Sequence, residues 1–256
     1  MFLKVINTGS LKGNCYVLQS KHGSRLLLDC GCKYNKILKG IEYKTIATVG
    51  CLLTHEHGDH LKSFKNLLEV GIDVYAHPET AAFISSRYGK SVMRCLEMRP
   101  FYLGEEYKII PFNLPHTSYD KESKELVTCP NYGYMIEHGG MGRLLYMTDF
   151  EYCKYSFKAT TINHFVIECN YCEDMVDKES ANYGHRLKGH CSLSTCKEFL
   201  KQNISEQTRT ITLVHLSDTA ADADRIQKEI QETVGNKILV QIARSGLEVD
   251  LNLCPF

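Results

Sequence analysis

Thr54-His55-Glu56-His57-Gly58-Asp59-His60 places three imidazoles and the Asp59 carboxylate inside six residues, a metal-ligand density that core packing does not require. The stretch follows Val49-Gly50-Cys51-Leu52-Leu53, a short apolar run that reads as a buried strand, so the histidines fall where that strand ends. Neutral imidazole and carboxylate suit zinc, manganese or iron. A helical zinc site is excluded, because it needs two histidines four apart; here His55 and His57 are two apart, and Gly58 is expected to break the helix.

Working outward, the same form of a strand followed by a ligand recurs three times. His116 follows Ile109-Ile110-Pro111-Phe112-Asn113-Leu114-Pro115, Asp149 ends Leu144-Leu145-Tyr146-Met147-Thr148, and His215 ends Ile211-Thr212-Leu213-Val214. The His-x-His-x-Asp-His stretch and these three ligands, in this order, resemble the signature of the metallo-β-lactamase fold superfamily. The resemblance narrows to its YycJ/WalJ-like branch on Asn7-Thr8-Gly9-Ser10 with Gly13-Asn14-Cys15-Tyr16-Val17, on Glu168-Cys169-Asn170-Tyr171, on Gly189-His190-Cys191-Ser192 and on Val214-His215-Leu216-Ser217. Two departures bear on substrate choice. Thr117 follows the third-motif histidine where the branch commonly has an acidic residue, and Tyr119 to Asn131 reads as a loop of its own.

The resemblance implies an α/β fold, a four-layer αββα sandwich formed by residues 1–256 as one domain, and a metal-dependent phosphodiesterase with exonuclease activity on DNA. It also implies two divalent metal ions. His55, His57 and His116 would hold the first, Asp59, His60 and His215 the second, and Asp149 would span both. Two such ions roughly 3.5–4 Å apart activate water and clamp phosphate oxygens. Asp59, Asp149 and His190 are the residues expected to carry the chemistry, His190 as general acid or phosphate ligand. Ser10, Asn14 and Ser192 are candidate phosphate contacts, although Ser192 also reads as a helix cap and Gly9 to Gly13 as a turn. Only 65 residues separate Asp149 from His215, too few for the inserted domain of the RNA-cleaving β-CASP enzymes. Asp149 stands where many true β-lactamases carry cysteine, which speaks against β-lactam hydrolysis.

Composition leaves the substrate open. Thirty basic and thirty acidic residues cancel, so nothing suggests a strongly basic nucleic-acid coat. A phosphodiesterase of small cyclic nucleotides, a glyoxalase- or lactonase-type acyl hydrolase and a metal-stabilised scaffold therefore stand as alternatives to a nuclease of DNA or RNA ends. No run approaches the ~20 apolar residues of a membrane span and the first residues lack a signal peptide's core, so a cytoplasmic location with no membrane partner is expected. Oligomeric state has no signature in the chain. The twelve cysteines, including Cys30-Gly31-Cys32 and Cys169-Asn170-Tyr171-Cys172, read as buried thiols in a reducing compartment. His22, His77, His138, His164 and His185 read as ordinary surface or core histidines.

Periodicity predicts strands at Phe2 to Asn7, Cys15 to Gln19, Arg25 to Asp29, Asp73 to Ala76, Tyr132 to Glu137, Arg143 to Met147, Phe165 to Cys169 and Thr210 to Leu216. Helices are expected at Tyr34 to Ile41, His60 to Val70, Pro78 to Tyr88, Leu193 to Gln202 and Ala220 to Val234. Lys237 to Ile242 and Leu247 to Leu251 are closing strands. Strands with interleaved helices, in a pattern that occurs twice, suit two facing sheets with helices outside.

Overall fold

The computed structural model describes residues 1–9, 11–119, 125–180 and 183–253. The first half runs β1 (Phe2–Asn7), β2 (Cys15–Gln19), β3 (Arg25–Leu28), α1 (Tyr34–Gly40), β4 (Thr48–Leu52), α2 (Gly58–Leu61), α3 (Phe64–Glu69), β5 (Val74–Ala76), α4 (Pro78–Tyr88) and β6 (Met93–Arg94). The second runs β7 (Phe101–Leu103), β8 (Tyr107–Leu114), β9 (Thr117–Tyr119), β10 (Leu126–Thr128), β11 (Asn131–His138), β12 (Gly142–Met147), β13 (His164–Glu168), α5 (Tyr183–Gly189), α6 (Leu193–Asn203), β14 (Thr210–Val214), α7 (Ala223–Val234), β15 (Leu239–Ile242) and β16 (Glu248–Asp250).

Two seven-stranded sheets result, ordered β16-β1-β2-β3-β4-β5-β6 and β15-β14-β13-β12-β11-β8-β7. Each changes from antiparallel to parallel pairing partway across: at β3 beside β4 in the first, and at β12 beside β13 in the second. The two closing strands separate, β15 joining β14 and β16 crossing back to pair with β1 through Leu3 opposite Val249. An apolar layer including Leu3, Leu18, Leu28, Tyr134, Leu144 and Tyr146 fills the space between the sheets. Two outer layers seat the helices. Ile37, Phe64, Leu67 and Ile84 pack on the first sheet, and Leu193, Phe199, Ile226 and Ile230 on the second. This is the expected αββα sandwich, with every core layer built from the alternating faces of strands and the apolar stripes of helices.

Some boundaries differ for identifiable reasons. Gly58 does not break a helix but opens α2, with His57 at its N-cap. The helix expected from His60 to Val70 is divided at Ser63, whose N–H donates to Cys30 O at 2.9 Å and whose hydroxyl donates to Cys32 O at 2.6 Å. Those bonds tie the loop after β3 to the metal-motif helix. The helix expected from Ala220 starts three residues later, where the Asp222 side chain accepts from Arg225 N. Part of the expected loop from Tyr119 to Asn131 is an antiparallel pair, β9 with β10; residues 120–124 lie outside the described residues. The short glycine-bearing α5 had no clear periodic signal. Eleven cysteines are described, all free thiols, and Cys30, Cys32, Cys169 and Cys172 are buried in the outer apolar layers.

Candidate metal centre

Strand ends deliver the side chains. Asp29, Asp149 and His215 each lie just beyond a strand in the left-handed region, at φ 56°, 54° and 55°, a conformation costing of order 1–3 kcal/mol where packing must hold it. Three sharp turns thus direct three side chains into one place. Loop stacking fixes the fourth supplier, the metal motif itself. Asn14 N donates to Asp59 O at 2.7 Å and Gly31 N to Asn14 O at 2.8 Å. A Cβ at Gly31 would stand 1.6 Å from Asp59 O, so only glycine allows this approach.

The potential ligands fall into groups. His55, His57, His116 and Asp149 present donor atoms within 4.8 Å of one another, as do Asp59, His60 and His215. Asp149 joins them: its Oδ2 lies 3.5 Å from His55 Nε2 and 3.9 Å from His116 Nε2, while its Oδ1 lies 3.4 Å from His60 Nε2 and 3.1 Å from His215 Nδ1. Asp59 Oδ2 is 3.5 Å from His60 Nε2 and 3.3 Å from His215 Nε2. A third overlapping group adds Glu168 and His190 to Asp149 and His215.

Buried partners orient the rings from behind. Asp29, fully buried, faces His60 Nδ1 at 2.8 Å and accepts from Thr54 N at 2.8 Å and Tyr146 Oη at 2.6 Å. Thr54 Oγ1 meets His55 Nδ1 at 3.0 Å, and Gly189 O meets His116 Nδ1 at 2.8 Å. Glu168, also fully buried, takes His215 Nδ1 at 2.7 Å and His190 Nδ1 at 2.8 Å on Oε1, and backbone N–H groups of Phe150 and Cys191 on Oε2. Such contacts fix ring orientation and leave the opposite nitrogen for a metal. A cation suits this donor set. The Nε2 of His55 is buried without a hydrogen-bond partner among the described residues, an uncompensated lone pair that a metal ion would satisfy.

Electrostatics divide the histidines. Burial dominates at His55, His57 and His116 and lowers their pKa, well below 6.5 for His55 and His116. At His60 and His215 burial also opposes the charge, but Asp149 and neighbouring carboxylates outweigh it, raising His60 well above 6.5 and His215 to about 10. Burial likewise disfavours charge on Asp59 and Asp149, yet His60 and His215 hold both far below the ordinary carboxylate range. The site is thus a balanced cluster of opposite charges.

All seven expected metal ligands lie in this cluster. Asn14 stands beside them, with Nδ2 3.1 Å from His60 Nε2 and 3.4 Å from Asp59 Oδ2. His190 stacks on His215 with ring centroids 5.4 Å apart. Ser192 is occupied as the cap of α6, accepting from Thr195 N at 3.2 Å, and Ser10 lies outside the described residues. The sequence alone assigns no site role to Asp29 or Glu168, although Asp29 ends one predicted strand and Glu168 stands one residue before the end of another. His185 reads as an ordinary histidine in the sequence, yet its ring lies beside His57, His116 and His190. By contrast His77 accepts from Glu79 N at the start of α4, and His164 is buried against Thr210 Oγ1. Among the described residues no helix is long and apolar enough to cross a membrane.

Comparison with known proteins gives this geometry a lineage. An exodeoxyribonuclease, WalJ of Streptococcus pneumoniae, is 26% identical over 271 aligned residues, covering 97% of this chain and 90% of its own. The metallo-β-lactamase fold protein YhfI from Bacillus subtilis superposes with a TM-score of 0.72 at 19% identity, over 97% of this chain and 98% of that one. Zinc-bound PqqB from Methylobacterium extorquens gives 0.71 at 16% identity, over 98% and 100%. At such identities these two speak to the fold. Residues 24–215 match the family model described as the beta-lactamase superfamily domain. The chain belongs to the beta-lactamase superfamily.

Proposed function

We propose that this chain acts as a single-domain, dinuclear-metal phosphodiesterase that trims DNA ends. One observation carries the reading: two groups of imidazoles lie on either side of one carboxylate, Asp149, with one oxygen toward each. The similarity to WalJ supports DNA as the substrate.

Zinc or manganese ions, one in each group, would supply Lewis acidity and a water nucleophile at neutral pH. His55, His57 and His116 would hold one, Asp59, His60 and His215 the other. The chain's own residues do the rest. Glu168 fixes the ring of His190 through Nδ1, so the opposite nitrogen points a proton donor or acceptor away from the buried carboxylate. His190 is placed to protonate the leaving oxygen, in the way a carboxylate-oriented imidazole serves other hydrolases. Asn14, beside Asp59, steadies the second group and stands next to any phosphate bound there.

Digestion of single-stranded DNA labelled at its 5′ end, with manganese-loaded protein and an Asp149→Ala control, tests this reading. Immediate release of labelled mononucleotide by the wild type alone is expected. An uncut strand with cyclic nucleotides hydrolysed, or with acyl substrates hydrolysed, would replace DNA ends by those substrates.

A further inference from the structure

α5 carries a histidine that the roles above do not use. The His185 ring centroid lies 6.3 Å from that of His57, 5.8 Å from His116 and 5.3 Å from His190. The side chain is half-buried, and its polar contact among the described residues is Thr117 Oγ1, 3.4 Å from Nδ1. That is a long hydrogen bond, shared with a hydroxyl beside His116 that can donate or accept.

The placement is built into the backbone. His185 and Gly189 are four apart on α5, so they share a face. A Cβ at Gly189 would come within 3.2 Å of the His185 ring and 3.3 Å of His116 Cε1, forcing the two rings to shift. The same glycine's carbonyl holds His116 Nδ1 at 2.8 Å. The end of α5 is therefore fastened to a ligand histidine, and it carries His185 into the ring of imidazoles. A ring with Nδ1 accepting from the Thr117 hydroxyl bears its proton on Nε2, a donor with no other assigned use.

We propose that His185 contacts the substrate, donating an N–H to a phosphate oxygen of a phosphodiester held at the His55, His57 and His116 group. The inference rests on the phosphodiesterase reading and names the side chain that recognises the phosphate beyond the metal ligands. No covalent step passes through it. Its contribution is a hydrogen bond to a charged oxygen, whose loss typically lowers kcat/KM about ten- to a hundredfold.

The test compares metal-loaded wild type, His185→Ala and His185→Gln on the labelled single strand, with metal content and circular dichroism measured on each. Calorimetric titration of inorganic phosphate into the same proteins gives a readout independent of turnover. The expected result is an alanine variant with full metal content, kcat/KM lowered about ten- to a hundredfold and weakened phosphate binding, and a glutamine variant that regains much of both through its amide N–H. Alanine that matches the wild type in kcat/KM and phosphate affinity would overturn the proposal. So would alanine that loses metal while glutamine does not restore phosphate binding, since His185 would then only support the ligands. If the wild type cleaves no phosphodiester, the nuclease reading falls on its own. Phosphate binding then decides this proposal, supporting it if the alanine variant is about tenfold weaker and overturning it if the two are equal.

Discussion

The two halves of the sandwich each place one buried carboxylate behind the metal centre, and the two acids are used differently. Asp29, beyond β3, spends one oxygen on Thr54 and the other on His60 and Tyr146. Glu168, ending β13, gives one oxygen to two backbone N–H groups and the other to two imidazoles, His215 and His190. On the proposed ligand set, Asp29 orients a single ligand, His60, whereas Glu168 couples the ligand His215 to the candidate proton donor His190.

That contrast can be broken by exchanging each acid for its amide. Glu168→Gln has the larger expected effect, because an amide keeps only one accepting atom, so its NH2 must face either the two Nδ1–H groups or the backbone N–H groups of Phe150 and Cys191. The loss of His190 orientation, worth about 10²–10⁴-fold for a general acid, adds to weakened metal binding, and excess metal restores little of kcat. Asp29→Asn is expected to weaken metal affinity about 10- to 100-fold while kcat at saturating metal stays near the wild type. Metal titrations followed by saturating-metal kinetics on both variants separate the two. Equal recovery of kcat in both by added metal would erase the distinction drawn here.

A smaller effect sharpens the comparison through protons. With His215 raised to about 10, the metal-free protein carries a proton there at neutral pH, and His60 is raised as well. A metal must expel the proton from each imidazole it binds, so affinity rises with pH, about tenfold per unit for each proton released. Calorimetry in buffers of different ionisation enthalpy counts those protons near pH 7. Release of fewer than about two protons when both groups fill, one each from His60 and His215, would contradict the raised values.

How far the sequence revealed all this follows from the kind of signal each element leaves. Strands with alternating or uniformly apolar residues, and helices as regular as α4, were legible at nearly their observed boundaries, because burial alone sets the pattern. The seven clustered candidate ligands were legible because His55, His116, Asp149 and His215 stand just past apolar strands and His57, Asp59 and His60 fall in the dense motif that follows the first of them. Asp29 and Glu168 stand in the same positions, but a single acid at a strand end reads as a turn until its partners are known. The partners of Asp29 include Tyr146, 117 positions away, and those of Glu168 include His215, 47 positions away. Likewise α5, with glycine at 184 and 189, has no apolar stripe to announce it, and the role of Gly189 emerges only from its closeness to two imidazoles. Ser63 splits an expected helix through bonds to Cys30 and Cys32, which no local pattern foretells.

Metal stoichiometry tests the central claim most directly. Elemental analysis after loading with manganese or zinc should find two ions per chain in the wild type. In Asp149→Ala it should find at most one, with circular dichroism unchanged. A wild type that binds one ion at saturation, or an Asp149→Ala protein that still holds two, would contradict a centre spanned by Asp149.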